Sequence, residues 1–458
     1  MSIVGALVVL AAAVTLFTDV ERLPLLLAAA VPFAATSAVT VAGQSVIPYH
    51  LVAILLIATS GGLLLRAYHA DLSTLPGARP LLAFGVWAVI VTMTSPRIFA
   101  GLKVLDPRRG IDLGVKQPGS LEPSISNVAQ SGYLVLAVLV VAVIAFHPYP
   151  AYRLPGLAFG LGTVLNTLKG LLPESVQTQV FDNSSNVTYT AGTFDGVERM
   201  RGLFSEPAGL GAFSVAAFIF FAVSTARSTG PLRYICLLFA IWSFTNAALS
   251  YSGGAVVTGV LVALVVFARG AYVVIVGRQR ISNLGAAGMV AVLPIAAIAG
   301  PAVSDFVDAI VVDKSGSTSA ANRSAADQFS FGVLGDSSGI GTGLGSNRPS
   351  SFVATVLSNV GVLGALLLVV ALVLVLGYAF RDARYQPAVW SAIALMISKA
   401  VSGPDVSEPI LWFLFAVCAQ GAWRRHATAP DEPAPGGVAP SSSPRRRFVA
   451  DGSRLGLR

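Results

Sequence analysis

The run SFVATVLSNVGVLGALLLVVALVLVLGYAF, Ser351–Phe380, carries thirty residues without one charged side chain. A helix needs roughly 20 mostly apolar residues to cross a hydrocarbon core of about 30 Å, so this stretch is long enough to span a membrane with residues to spare. Inside lipid only a helix or a closed barrel satisfies the backbone, and the run is continuously apolar rather than alternating, so it predicts a helix. The rest of the chain fits that reading. Of 458 residues, 55% are hydrophobic and only 11% charged. Soluble domains carry about a quarter charged residues. Too few polar groups remain to solvate the surfaces of the two or three soluble domains this length would allow.

The same ruler gives about thirteen apolar segments, beginning near Ile3, Leu23, Leu51, Pro80, Asn127, Arg153, Phe204, Leu232, Gly253, Asn283, Ser351, Tyr385 and Pro404. The second and sixth are short and interrupted by Gly or Pro. The expected fold class is therefore all-α: a polytopic transmembrane helical bundle of about 12–13 spans over residues 1–425. The Lys/Arg bias between alternate connections sets its orientation. With a cytoplasmic C-terminus, one set of connections holds 18 basic and 7 acidic residues, and the other holds 12 basic and 15 acidic. The basic set consists mostly of short links. The opposite, extracytoplasmic set contains three long loops, near 97–127, 172–203 and 303–350. Met1–Phe17 lacks a basic start and a small-residue cleavage site, so it reads as the first span. Residues 426–458, rich in Pro, Ala, Ser and Arg, are expected to form a disordered basic cytoplasmic tail that meets membrane lipids. Seven of the thirty Lys and Arg residues lie in the last 35 positions, so the net charge of +8 is not read as a sign of a nucleic-acid partner, and none is expected.

The chain carries no common soluble chemistry. It has no G-x-x-x-x-G-K-[ST] loop, no H-E-x-x-H pair and no D-x-D pair. Cys236 and Cys418 lie in apolar runs, and only four histidines are present. No cofactor or metal is expected. Candidate chemistry sits in the outer loops. The stretch Glu198-Arg199-Met200-Arg201-Gly202-Leu203-Phe204-Ser205-Glu206-Pro207 runs into an apolar helix. Ser205 is the expected N-cap, with Pro207 in the first turn. Arg199 and Arg201 then stand at the positive end of a helix, where two planar guanidinium forks suit a diphosphate. Glu206 either acts as a base or pairs with an arginine. Further on, Asn322-Arg323 precedes GIGTGLGSNRPSS, residues 339–351. In that loop Gly341, Gly343, Gly345, Ser346 and Asn347 surround Arg348, and the backbone can approach a ligand with N–H groups free for oxyanions. The alternative for this loop is a plain hairpin between helices. The turn Leu249–Gly254 reads as a packing corner, and Lys399, Asp405 and Glu408 as groups that neutralise one another. The nearly balanced charges of 97–127 suit a cap over a cavity or an acceptor contact.

These stretches resemble the O-antigen polymerase/ligase superfamily. Arg199 to Pro207 is similar to its R-x-x-G-x-F-x-[DE/N]-P outer-loop motif, and LSYSGG at 249–254 resembles its S-x-[ST]-R-[GS] turn, with Ser252 where arginine often stands. Arg323 with the glycine-rich run, NVGVLG at 359–364 and EPILW at 408–412 complete the order, which extends over most of residues 20–425. The resemblance implies an architecture similar to the GT-C glycosyltransferases, with long extracytoplasmic loops that contain short helices, in a bacterial cytoplasmic membrane. It implies metal-independent glycosyl transfer on the outer face from a polyprenyl-diphosphate-linked glycan donor to an acceptor glycan or lipid-glycan, alongside other polysaccharide assembly proteins. Arg199, Arg201, Arg323 and Arg348 would clamp the diphosphate, with Glu206 as base. Ligases of the family carry a histidine in the large final loop. Here Arg348-Pro349-Ser350-Ser351 stands there, which favours a polymerase. The rival readings are a transporter or flippase for lipid-linked oligosaccharide, a cell-wall glycosyltransferase of the shape–division family, and a scaffold.

Overall fold

In a computed structural model the structure describes residues 2–41, 43–67, 74–106, 118–185, 187–194, 197–275 and 318–427. The expected span from Asn283 and the tail beyond Ala427 lie outside them. Fourteen α-helices occur among the described residues. They are α1 Ile3–Thr18, α2 Leu23–Ala30, α3 Pro48–Ala67, α4 Ala78–Ile98, α5 Ile125–Phe146, α6 Leu154–Gly170 and α7 Glu174–Val180. Then follow α8 Pro207–Arg227, α9 Pro231–Leu249, α10 Gly253–Ile275, α11 Thr318–Asp336, α12 Phe352–Ala379, α13 Gln386–Val401 and α14 Pro409–Ala427. Strand is confined to three two-residue or three-residue antiparallel hairpins: β1–β2 (39–41 with 44–46), β3–β4 (103–105 with 118–120) and β5–β6 (193–194 with 197–198).

Five helices, α4, α5, α8, α9 and α12, are long and apolar enough to cross a membrane. Their outer faces carry bare apolar side chains, such as Ile235, Leu238 and Phe244 on α9 and Val362, Leu366 and Val373 on α12. A lipid solvent suits such a surface and water does not. At the centre, α14 is buried on every side from Pro409 to Ala422, as a helix apolar all round must be. Its polar residue Gln420 is fully satisfied. The side-chain amide donates to the carbonyls of Ile144 (3.1 Å), His147 (2.8 Å) and Tyr149 (2.9 Å), and its oxygen accepts from Ala151 N–H (2.6 Å) and Tyr385 O–H (2.8 Å). One side chain thereby staples the end of α5, the turn before α6 and the start of α13.

The second expected span is a broken one. The helix α2 has eight residues, about 12 Å at 1.5 Å per residue, too short to cross alone. Pro32 lacks the N–H a continuing helix needs, and residues 31–38 go on without helical structure, mostly buried. They nonetheless return to the level where α1 begins, because Ser2 N–H donates to Ala38 O (3.2 Å). The contact is close enough that a Cβ on Gly5 would lie 1.9 Å from Ala38 O. Protein rather than lipid receives this irregular backbone, the one arrangement a bilayer allows.

Successive helices run up and down, so the connections sort to two ends. Residues 37–47, 99–106, 118–124, 171–185, 187–194, 197–206, 250–252, 337–351 and 402–408 share one end. They are tied by bonds such as Ser37 N–H to Asn183 Oδ1 (2.9 Å), Met200 N–H to Leu249 O (3.1 Å) and Arg348 N–H to Leu105 O (3.1 Å). The other end holds Arg153, Arg227, Arg233, Arg381, Arg384, Arg424 and Arg425, joined by contacts such as Arg227–Gln386 and Arg424 to Pro148 O.

Candidate functional site

The loop from Arg199 to Pro207 is moulded onto the end of α6. Asn166 accepts the N–H of Leu203 (2.8 Å), and Lys169 Nζ donates to Gly202 O. Gly202 sits at φ +55°, and a Cβ there would lie 2.2 Å from Asn166 Oδ1, so the motif glycine is required by contact. The helix cap differs from the expected one. Glu206, not Ser205, is the N-cap of α8, in extended backbone and without a side-chain capping bond, while Pro207 does open the first turn. Ser205 instead uses its carbonyl to accept from Thr190 N–H (2.9 Å).

The two arginines of this loop have different environments. Arg201 is fastened to Asp182: Nη1 donates to Oδ1 at 3.0 Å, and Nη2 pairs with Oδ2. Asp182 is 6% exposed and also accepts from Lys169 Nζ (2.6 Å), which is 2% exposed. Arg201 lies over the Tyr189 ring (5.1 Å), and Tyr189 O–H donates to Ala35 O (2.5 Å), so the cation–carboxylate cluster grips the broken crossing. Arg199 is half-buried, with Nε donating to Ser250 O (3.3 Å). Burial first, and the positive charge of Arg323 second, lower its proton affinity, against an opposing pull from Glu206. Arg323 and Glu206 each therefore lie within electrostatic reach of Arg199. Arg323 itself is exposed on α11.

The glycine-rich loop faces inward. Thr342 and Gly343 N–H donate to Ser358 and Asn359 carbonyls (2.9 and 2.8 Å), Leu344 N–H to Thr92 Oγ1 (2.9 Å), and Asn347 N–H to Asn359 Oδ1 (3.1 Å). Asn347 Nδ2 bonds Ser330 and Ser358 hydroxyls, and Ser346 Oγ accepts from Asn127. These N–H groups are consumed by the protein, which corrects the expectation that they are free for a ligand's oxyanions. The glycines permit close packing instead. At Gly341, Gly343 and Gly345 a Cβ would fall 2.6–2.8 Å from the backbones of residues 359, 92 and 126, and all three have φ between +76° and +93°. The wedge also breaks α12 at Gly361, whose φ is +72°. What the loop presents outward is Arg348, whose Nη2 lies 3.6 Å from Asp405 Oδ1.

Arg348 and Glu206 both line a cavity of about 540 Å³ at this end. One part of its wall is small and apolar: Ala34, Ala35, Ala208, Gly209 and Ala212. Another is charged, with Arg348, Lys399, Asp405 and Glu408 joining Glu206. A third is neutral and hydrogen-bonding, with Gln130, Tyr133 and His50. Lys399 Nζ sits 2.5 Å from Glu408 Oε2. Thus Lys399 and Glu408 neutralise each other as expected, whereas Asp405 goes to Arg348. The turn at 249–254 is a packing corner, buried against Gly211 of α8. Of the loop near 97–127, Val104 and Leu121 pack on Val333 of α11, while Arg108, Arg109, Asp112 and Lys116 lie outside the described residues.

The structure thus brings Arg348 and Glu206 to one cavity that Arg199, Arg201 and Arg323 do not line; Arg199 lies within electrostatic reach of Glu206 and of Arg323, and Arg201 is fastened to Asp182. Sequence reasoning missed His50 and Tyr133, which stack with ring centroids 4.4 Å apart. The signal for His50 was its place just before the third apolar segment. Compared with known families and characterised proteins, the chain matches no family model and no curated sequence.

Proposed function

We propose that this chain is a membrane glycosyltransferase that passes glycan from a polyprenyl-diphosphate donor to an acceptor hydroxyl at its loop-bearing end, as a polysaccharide polymerase. The carrying observation is the two-natured cavity: a charged rim of Arg348, Lys399 and Glu206, continuous with a floor of small apolar residues from α8 and residues 34–35. A pyrophosphoryl head fits the first and the start of an isoprenoid chain the second. In this reading the acceptor oxygen bonds to the anomeric carbon, and the bond from that carbon to the diphosphate oxygen breaks. Its electron pair leaves on the diphosphate, and the hydroxyl proton passes to the Glu206 carboxylate. Arg348 offers its planar fork to the charge that develops on the leaving group, and a preorganised donor of that kind contributes most in a site partly shielded from water. Arg199 and Arg323 add positive charge to the field at this end. Arg201 positions the loop. The GT-C-like architecture and the extracytoplasmic placement of this end belong to the same proposal, the latter supported by the arginine-rich opposite end.

Membranes containing Arg348→Ala are expected to transfer glycan about a hundredfold more slowly, with protein level unchanged. Arg348→Lys recovers little, since a point charge cannot match the bidentate fork. Transfer at the parental rate by Arg348→Ala would remove the assignment. Flipping of a lipid-linked oligosaccharide is the second reading, and the broken crossing at 23–38, which lines the cavity, favours it. Proteoliposomes separate the two: a flippase moves labelled lipid diphosphate between leaflets without any acceptor, and a transferase does not.

A further inference from the structure

We infer that Lys399 is the second cation of the anionic-headgroup site, and that Asp405 and Glu408 are exchangeable counter-ions that a diphosphate displaces. This deepens the transferase reading and rests on its diphosphate ligand. The turn 402–408 joins α13 to α14 and forms one wall of the cavity. It is tied to the loop bearing Arg348 by Gly403 N–H, which donates to Ser350 O (3.1 Å), and to α5 by Ser407 Oγ with Gln130 Oε1 (3.0 Å). Arg348 and Lys399 are thereby held on one rim although they are 51 positions apart.

Each cation has its own carboxylate, and both carboxylates come from that single turn. Lys399 is 4% exposed and Glu408 24%. A cation so deeply placed needs a counter-charge whenever no ligand supplies one, because an unpaired buried charge is strongly destabilising. The Arg348–Asp405 contact is looser, 3.6 Å between partners 38% and 53% exposed. A diphosphate carries more charge and several oxygens, so it can meet both cations at once with charge-assisted bonds that neither lone carboxylate matches. A lysine that served only to complement the C-terminal end of α13 would have no need of a cavity wall. Its length would let it reach open solvent.

The exchange has a signature of sign. Removing the charge of a competing carboxylate strengthens anion binding, whereas breaking a merely structural pair leaves binding unchanged or weakens it. The test uses the full chain in lipid nanodiscs with inorganic pyrophosphate as probe, its Kd measured by calorimetry. Glu408→Gln and Asp405→Asn are each expected to lower Kd several-fold. Lys399→Met raises it about tenfold, the worth of one lost charge-assisted bond, and Lys399→Arg restores part of it. An unchanged or higher Kd in both carboxylate variants overturns the inference, as does a wild-type protein that fails to bind pyrophosphate. Should Lys399→Met not fold, the two carboxylate variants still decide. Pyrophosphate binding that responds as expected in a protein without glycan transfer would overturn the transferase reading and leave this site standing.

Discussion

At Gly361 one backbone dihedral decides where a whole loop can sit. Its φ of +72° breaks α12 after Val360, and the gap admits the carbonyls of Gly339 and Ile340, which a Cβ would approach to 2.3 and 2.2 Å. Gly361→Ala therefore combines a left-handed backbone with a backbone clash, and is expected to cost about 1–3 kcal/mol or more. A fall in melting temperature of the purified protein, with Arg348 left intact, checks it. The same residues show what a sequence can say about glycine. The spacing at 339–345 announces that a backbone must come close to something, and it does not say to what. Here the neighbours are Thr92 and Ser126, from two helices far back in the chain, and Asn359, from the helix that follows the loop. The reading of N–H groups free for a ligand gave way for that reason, while Arg348 lines the cavity.

Among the elements, the starts of most helices were legible because apolar runs begin at marks the backbone respects, such as Ser124, Pro207, Pro231 and Ser351. The second span reads as short and interrupted by Pro, and its helix does stop at Ala30; what the sequence does not tell is the form of the rest. Apolarity continues through Val31, Pro32, Phe33, Ala34 and Ala35, but the helix does not, because composition reports burial and says nothing of which neighbours bond the backbone. Partners of the kind that rescue such a segment cannot be read locally. Asp182, for example, joins Lys169 and Arg201 across 13 and 19 positions. On α14 the polar exception carries a sharp expectation. Gln420→Leu is nearly isosteric, yet it strips partners from Ala151 N–H, from Tyr385 O–H and from three carbonyls. A loss of several kcal/mol is expected, since each buried polar group left unpaired costs about 1–3 kcal/mol. Thermal unfolding in detergent measures it, and a melting temperature equal to the parent's would show that water takes over the role.

For the molecule as a whole, the charge bias sorted the connections into two sets, and among the described residues Arg153, Arg227, Arg233, Arg381, Arg384, Arg424 and Arg425 of the basic set lie at the end opposite the loop-bearing one. In a chain lacking Cys236 and Cys418, both buried in the native protein, Ser120→Cys is expected to react with an impermeant maleimide on intact cells. Ala383→Cys, at the opposite end, is expected to react only after permeabilisation. The reverse pattern would place the cavity on the cytoplasmic side. The cavity itself was only half legible, because its walls come from seven separate stretches of chain, and a linear motif names the charged residue without its company. The broken crossing has one more consequence, which concerns synthesis. Ser37 meets Asn183 across 146 positions, and Ala35 meets Tyr189 across 154. At about 5–20 residues per second, translation needs roughly 10–30 s to deliver those partners. During that interval residues 31–38 have no helix and only their contacts with the start of α1 and the hairpin that follows, so the insertion machinery or a chaperone must shelter them until the later loop emerges.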